Sequence, residues 1–247
     1  MTYYSGSVAA VPAANRNAYL EHIRRAWPLM REQGVTRMVE TWGEDVPHGK
    51  RTDFHRAVQA QGDEVPVFSW MEWPDRATCD AAFQRMMADE SFPERMGEMP
   101  FDGKRMIFGG FAPLTADGTD RGAGWFQGFL LAVPADKRDA YAQMAREAHE
   151  QMFAPNGCMG TFENWGEDVP RGKLTDMYRA VEAEDGEVVV FSWTAWPDRA
   201  TCESAAKAME ASMQGQEMPE MPFDGRRMMW GGFAPIFDSD RDERGAP

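Results

Sequence analysis

The chain is written twice. Glu40–Ala60 returns as Glu163–Ala183 with 15 of 21 positions identical, Val67–Cys79 as Val190–Cys202 with 11 of 13, and Met99–Pro113 as Met221–Pro235 with 12 of 15. The offsets are 123, 123 and 122 residues, a period that makes each copy a domain rather than one turn of a solenoid. The units are placed at residues 1–114 and 125–237, with a polar, glycine-rich linker over 115–124 and a charged tail over 238–247 that is expected to fray. Each unit is large enough to bury a core without disulfides. Any role that both halves perform must use residues present in both.

Composition narrows the class of partner. The net charge is −14 over 247 residues, and an acidic surface repels phosphate, so nucleic acid and anionic membranes are excluded as expected partners. The first ten residues lack a basic segment followed by an apolar one, and no apolar run is long enough to span a bilayer, so a cytoplasmic location is expected. Cys79, Cys158 and Cys202 are odd in number and widely spaced, which fits neither a disulfide framework nor a zinc site. Cys79 and Cys202 are repeat equivalents. Each falls on an apolar helix stripe (Cys79, Ala82, Phe83, Met86; Cys202, Ala205, Ala206, Met209), which assigns them to packing rather than nucleophilic chemistry.

Each copy opens with an extended segment, Ser5–Val11 or Phe126–Val133, closed by a proline. A helix follows, with Tyr19, Ile23, Ala26 and Met30 at helical spacing in the first copy and Tyr141, Ala145, Ala148 and Met152 in the second. Next comes an alternating strand with Met38, Glu40 and Trp42 on one face. The segment Asp53–Gln59 reads as a further strand, Val65–Trp73 as a buried one, and Asp75 or Asp198 as the cap of a second helix. Arg105–Phe111 is the last strand. The expected order is β-α-β-β-β-α-β, an α+β pattern.

The segments Thr36–Pro47 (Thr-Arg-Met-Val-Glu-Thr-Trp-Gly-Glu-Asp-Val-Pro), Val67-Phe68-Ser69-Trp70 and Met99–Met106 (Met-Pro-Phe-Asp-Gly-Lys-Arg-Met) resemble the DUF1428 (YbaA-like) family over nearly all of each copy. The resemblance implies a tandem fusion of two ferredoxin-like domains whose sheets pair as an intramolecular dimeric α+β barrel. It carries no chemistry, because the family's function is unassigned. Arg37 has Gly160 as its equivalent, so anything that arginine binds is lost from the second half.

Glu40 and Glu163 are duplicated, and Trp42 and Trp165 face the same way two residues on. A carboxylate beside tryptophan on an inward sheet face would have a raised pKa and could act as a base. The competing reading pairs Glu40 with Arg56, and Glu163 with Arg179, as structural ion pairs across neighbouring strands. Asp53 and Asp176 are read as fixing turns through side-chain-to-backbone bonds. His22, His48, His55 and His149 have no repeat counterparts, and surface positions are expected for them. Met96-x-x-Met99 and Met218-x-x-Met221 could suit copper(I), but adaptable packing or a flexible lid explains them equally. No cofactor and no metal site is called for.

Two readings remain. In the first, the barrel binds a small, largely apolar or aromatic molecule inside or beside it, with walls from 9 Trp and 15 Phe. Arg37, Trp42, Arg56, Trp165 and Arg179 would line the pocket and Glu40 or Glu163 would serve acid–base chemistry without a cofactor. The first half is expected to be the more active, because it keeps Arg37. In the second, the chain is a non-catalytic binding or assembly module. The halves pair within the chain, and further self-association is left open.

Overall fold

A computed structural model of the chain describes residues 1–213 and 220–245. The first repeat comprises β1 (Tyr3–Pro12), α1 (Arg16–Gln33), β2 (Arg37–Asp45), a short α2 (Phe54–Ala57), β3 (Glu64–Trp73), α3 (Arg76–Ala88), a one-turn α4 (Phe92–Met96) and β4 (Ile107–Gly118). The second comprises β5 (Trp125–Pro134), α5 (Arg138–Ala148), β6 (Gly160–Asp168), α6 (Met177–Ala180), β7 (Glu187–Trp196), α7 (Arg199–Met213), β8 (Met229–Asp238) and α8 (Ser239–Gly245).

The strands are antiparallel throughout. They close into one eight-stranded barrel in the order β1-β3-β2-β8-β5-β7-β6-β4. Each repeat supplies a four-stranded sheet, and the two sheets are joined at both edges, by β2 with β8 and by β4 with β6. Neither sheet therefore keeps a free edge, which removes the aggregation hazard of an unpaired strand. The intramolecular α+β barrel that the family resemblance implied is present.

Period-two alternation divides each strand between two cores. Tyr4, Val8, Val39, Phe68 and Trp70 point into the barrel with their counterparts Phe126, Leu130, Phe191 and Trp193. Phe68 stacks on Phe191 at 4.2 Å and Trp70 on Trp193 at 4.4 Å, each pair joining equivalent residues across the two repeats. Gly6 and Gly128 make this possible, since a Cβ on either would stand 2.9 Å from the facing phenylalanine ring. The barrel interior is filled with aromatic side chains. The opposite faces pack under the helices.

The expected strand Asp53–Gln59 is instead the short helix α2. Asp53 accepts hydrogen bonds from the Arg56 amide (2.7 Å) and the Gly49 amide (3.0 Å), so it caps a helical turn. Phe54, Ala57 and Val58, spaced three and four apart, then bury together, and α6 repeats the arrangement. The turn-fixing role read for Asp53 and Asp176 holds; the strand after it does not.

The polar stretch between the repeats is no free tether. Thr115–Gly118 extends β4 along β6, and Asp120 is buried against Arg37. The start of the acidic tail is also docked: Asp238 forms a paired contact with Arg37 at 2.9 and 3.0 Å, and Ser239 accepts from the Met38 amide. Charge complementarity to a buried arginine orders both segments. Among the described residues no helix is long and apolar enough to cross a membrane.

Candidate functional site

The outward face of β1 in the first repeat is unusually small: Ser5, Ser7 and Ala9 alternate with the barrel-facing residues. Beneath α1 and α3 this leaves a cavity of about 530 Å³, within the range of small-molecule sites. Tyr19, His22 and Ile23 of α1, Met38 and Glu40 of β2, Met71 of β3, and Cys79 and Phe83 of α3 form its walls. Met96, Met99 and Phe101 complete it from the segment after α3, and Asp168 and Pro170 reach it from the second repeat. Phe83, Met87, Met99 and Phe108 line it while remaining exposed, so its rim is apolar.

Its polar feature is a buried carboxyl. Glu40 stands opposite Ser69 in the β2–β3 register, and the Ser69 hydroxyl donates to Glu40 Oε2. The Tyr19 hydroxyl, on the facing turn of α1, donates to the same oxygen at 2.6 Å. Burial pushes the Glu40 carboxyl up to about 7, against the smaller opposing effect of these two donors. Burial and the neighbouring carboxylate hold the Tyr19 phenol well above its ordinary value, so it stays protonated. A carboxyl poised near neutrality beside a cavity can both take and return a proton.

Glu163 repeats the triplet with Tyr141 (2.6 Å) and Ser192, and burial pushes it up to about 7 as well. Its surroundings differ. The β5 positions matching Ser5, Ser7 and Ala9 carry Gln127, Phe129 and Leu131. Leu131 is buried with Tyr141, Trp165 and Val190, and Phe129 and Met144 pack against them.

The other expected site residues are dispersed. Glu40 and Trp42 do share a face, but it is the face under the helices, because Val39 and Thr41 take the barrel-facing positions. Trp42 packs near Tyr19 with ring centroids 6.5 Å apart, and Arg16 lies over its indole; Trp165 is covered in the same way by Arg138. Arg56 lies at the surface beside Asp53 (3.6 Å), and Arg179 beside Asp176 (3.3 Å), so the expected ion pairs with Glu40 and Glu163 do not form. Tyrosine and serine occupy the carboxylates instead. Arg37 is buried among Glu72 (3.0 Å), Asp120 (2.7 Å) and Asp238 and is not part of the cavity wall.

His22, expected at the surface, is buried in the cavity wall, because it shares the inward stripe of α1 with Tyr19, Ile23 and Ala26. Cys79 and Cys202 sit in core clusters as expected, and burial raises both thiols. Met96 and Met99 line the cavity together; Met218 lies outside the described residues. Among the described residues no group of three or more His, Cys, Asp or Glu could hold a metal ion.

Tyr19 and Ser69 are absent from the sequence-level candidates, although both are duplicated at the repeat offset, as Tyr141 and Ser192. The small residues Ser5, Ser7 and Ala9 that floor the cavity are likewise absent from those candidates, although their equivalents Gln127, Phe129 and Leu131 are larger.

A family model for DUF1428, a protein family of unknown function, matches the chain twice, over residues 2–103 and 124–225. The chain belongs to the DUF1428 family. The uncharacterized protein YbaA of Escherichia coli K12 is 52% identical over 114 residues, covering 46% of this chain and 97% of YbaA. One DUF1428 repeat thus corresponds to nearly the whole of YbaA. Among solved structures, a "putative monooxygenase" from Lactobacillus acidophilus aligns with TM-score 0.53 at 8% identity, over 96% of this chain and 95% of that one. Another so described, from Fusobacterium nucleatum, aligns with TM-score 0.54 at 10% identity, over 96% and 93%. At such identities the likeness establishes the fold and nothing of the chemistry.

Proposed function

We propose that the first repeat binds a small, largely apolar or aromatic organic molecule in the cavity under α1 and α3, and that Glu40 exchanges a proton with it. The observation that carries this reading is the placement of a buried carboxyl, pushed up to about 7, in the wall of a cavity of about 530 Å³. Tyr19 and Ser69 fix its orientation. The apolar walls and the methionines around the cavity suit a ligand held chiefly by burial. Two structural neighbours are described as putative monooxygenases, but that likeness is of fold alone, so the reading rests on the cavity and its carboxyl. The second reading, a binding or assembly module with no active site, is favoured by the filled barrel interior and drops only the proton transfer.

The test uses 2-naphthol as probe, read by tryptophan emission, since the Trp73 indole donates to the cavity-lining Ser5 at 2.9 Å. Saturable quenching is expected, reduced in Trp73→Phe. Ser7→Phe/Ala9→Leu copies the second repeat into the first and should weaken binding by roughly tenfold or more without loss of folding. Undiminished binding in that variant would move the ligand elsewhere. Glu40→Gln should abolish any pH dependence of binding or turnover near neutrality; an unchanged pH profile would favour the non-catalytic module.

A further inference from the structure

Two residues that line the cavity, His22 and Tyr3, each carry a buried polar atom, Nδ1 and the hydroxyl, with no hydrogen-bond partner among the described residues. The residues are only 8% and 3% exposed. Unsatisfied buried donors and acceptors are uncommon because each destabilises the fold, and beside a cavity a ligand can supply the missing partner. The second repeat has neither group. Met144 and Trp125 stand at the equivalent positions, so both polar atoms belong to the first repeat, whose cavity they adjoin.

The strand register sets their spacing. Glu40 faces Ser69, Ser69 faces Ser7 on β1, and Tyr3 lies four residues along β1 from Ser7, roughly 13 Å at the rise of a strand. The helix α1 leaves the Pro12 end of β1 and delivers the chain to Arg37, which faces Glu72 next to the Tyr3 end. It therefore runs back along β1. Tyr19 bonds Glu40, and His22 is about 4.5 Å farther along the helix, toward Tyr3. The polar stations thus fall in the order Glu40, His22, Tyr3 along an apolar trough.

We propose that the cavity takes an elongated, flat, apolar molecule with a hydroxyl of the phenol or enol class at the Glu40–His22 end and a carbonyl-type acceptor at the Tyr3 hydroxyl. This rests on the cavity being the binding site. A tyrosine hydroxyl without a partner lacks an acceptor for its proton. Burial and the neighbouring Arg25 lower the pKa of His22, and a neutral imidazole with its proton on Nε2 presents Nδ1 to a hydroxyl donor.

The experiment is calorimetric titration of the full chain with 6-acetyl-2-naphthol, 2-acetylnaphthalene and 6-ethyl-2-naphthol. The compound with both groups should bind roughly fivefold or more tightly than either compound lacking one. Tyr3→Phe should remove the advantage of the acetyl group and His22→Met that of the hydroxyl. Neither variant should lower the melting temperature of the ligand-free protein, because each deletes a polar atom that has no partner. A drop of several degrees in both would mean that the atoms are satisfied within the protein, and would overturn the proposal. Equal affinities for the three compounds, unchanged in the variants, would remove the two-ended ligand and leave the cavity reading standing. No saturable binding of any of them, in wild type and Ser7→Phe/Ala9→Leu alike, would remove both.

Discussion

The two repeats share a backbone and differ in the side chains carried by the outward face of their first strand. Both bury a glutamate under a tyrosine and a serine, and both lock the strand after α2 or α6 with a bidentate arginine, Arg105 on Glu64 and Arg227 on Glu187 at 2.6 and 2.7 Å. These shared features serve each half equally and so belong first to the fold. The cavity depends on residues that diverged: Ser5, Ser7, Ala9 and His22 against Gln127, Phe129, Leu131 and Met144. In a duplicated chain, a residue kept in both copies cannot by itself explain what one half does and the other does not. Divergence at positions of the same register marks where the halves took different work.

Arg37 is the largest asymmetry and the first place to strain the comparison. In the second repeat Gly160 replaces it and Ala195 replaces its cross-strand partner Glu72, so cation and anion are lost together. A Cβ on Gly160 would lie 2.7 Å from the Thr119 backbone, which occupies the place of the arginine side chain. Arg37→Met should cost about 3–5 kcal/mol in urea unfolding, because it leaves Glu72, Asp120 and Asp238 buried without their cation. Adding Glu72→Ala should recover part of that loss. A cost below ~1 kcal/mol with lost 2-naphthol binding would return Arg37 to the ligand, where the sequence had placed it.

The shared glutamates should instead behave alike. Burial lifts each from 4.5 to about 7, so the folded protein holds these protons more tightly than the unfolded chain does. Folding therefore takes up protons between the two values, and stability falls as pH rises from about 4.5 to about 7, by up to ~3 kcal/mol per glutamate. Glu40→Gln and Glu163→Gln should each flatten that decline to a similar extent in melting curves recorded from pH 4.5 to 8. A flattening confined to Glu40→Gln would mean that Glu163 is solvated in the folded protein, and the two buried carboxyls would not be equivalent.

Much of this architecture was legible. Period-two alternation put Glu40 and Trp42 on one face, and Asp75 was recognisable as a helix cap, confirmed by its bond from the Thr78 amide at 2.7 Å. Asp53–Gln59 misled because a four-residue helix has too few positions to display its period, and Phe54, Ala57 and Val58 suit either assignment locally. Glu40 was found because it was duplicated, but its partners were not. Tyr19 is 21 residues away, and complementary charge favoured Arg56, whereas burial makes a neutral donor the less costly neighbour. Arg37 looked like a ligand group because its partners, Asp120 and Asp238, lie in stretches that read as linker and tail.

The smallest expected effect concerns Cys79 and Cys202, identical in sequence position and different in what lies beside them. Cys202 packs with Cys158, Trp196 and Ala205, and its thiol is pushed up to about 12, by burial first and then by the neighbouring Cys158. Burial also raises Cys79, whose sulfur lies 3.5 Å from Ser5 Oγ, but this residue lines the cavity. Neither is an activated nucleophile, since only the thiolate attacks and burial suppresses it. Cys79→Ala/Cys202→Ala should therefore lower stability by about 1–2 kcal/mol and leave 2-naphthol affinity within about twofold. With iodoacetamide at pH 8, followed by peptide mass spectrometry, both should label slowly. Cys79 should lead by roughly tenfold and slow when 2-naphthol is bound. Equal labelling of Cys202 would reveal open space beside it as well, and the contrast drawn from the neighbours of the two cysteines would no longer hold.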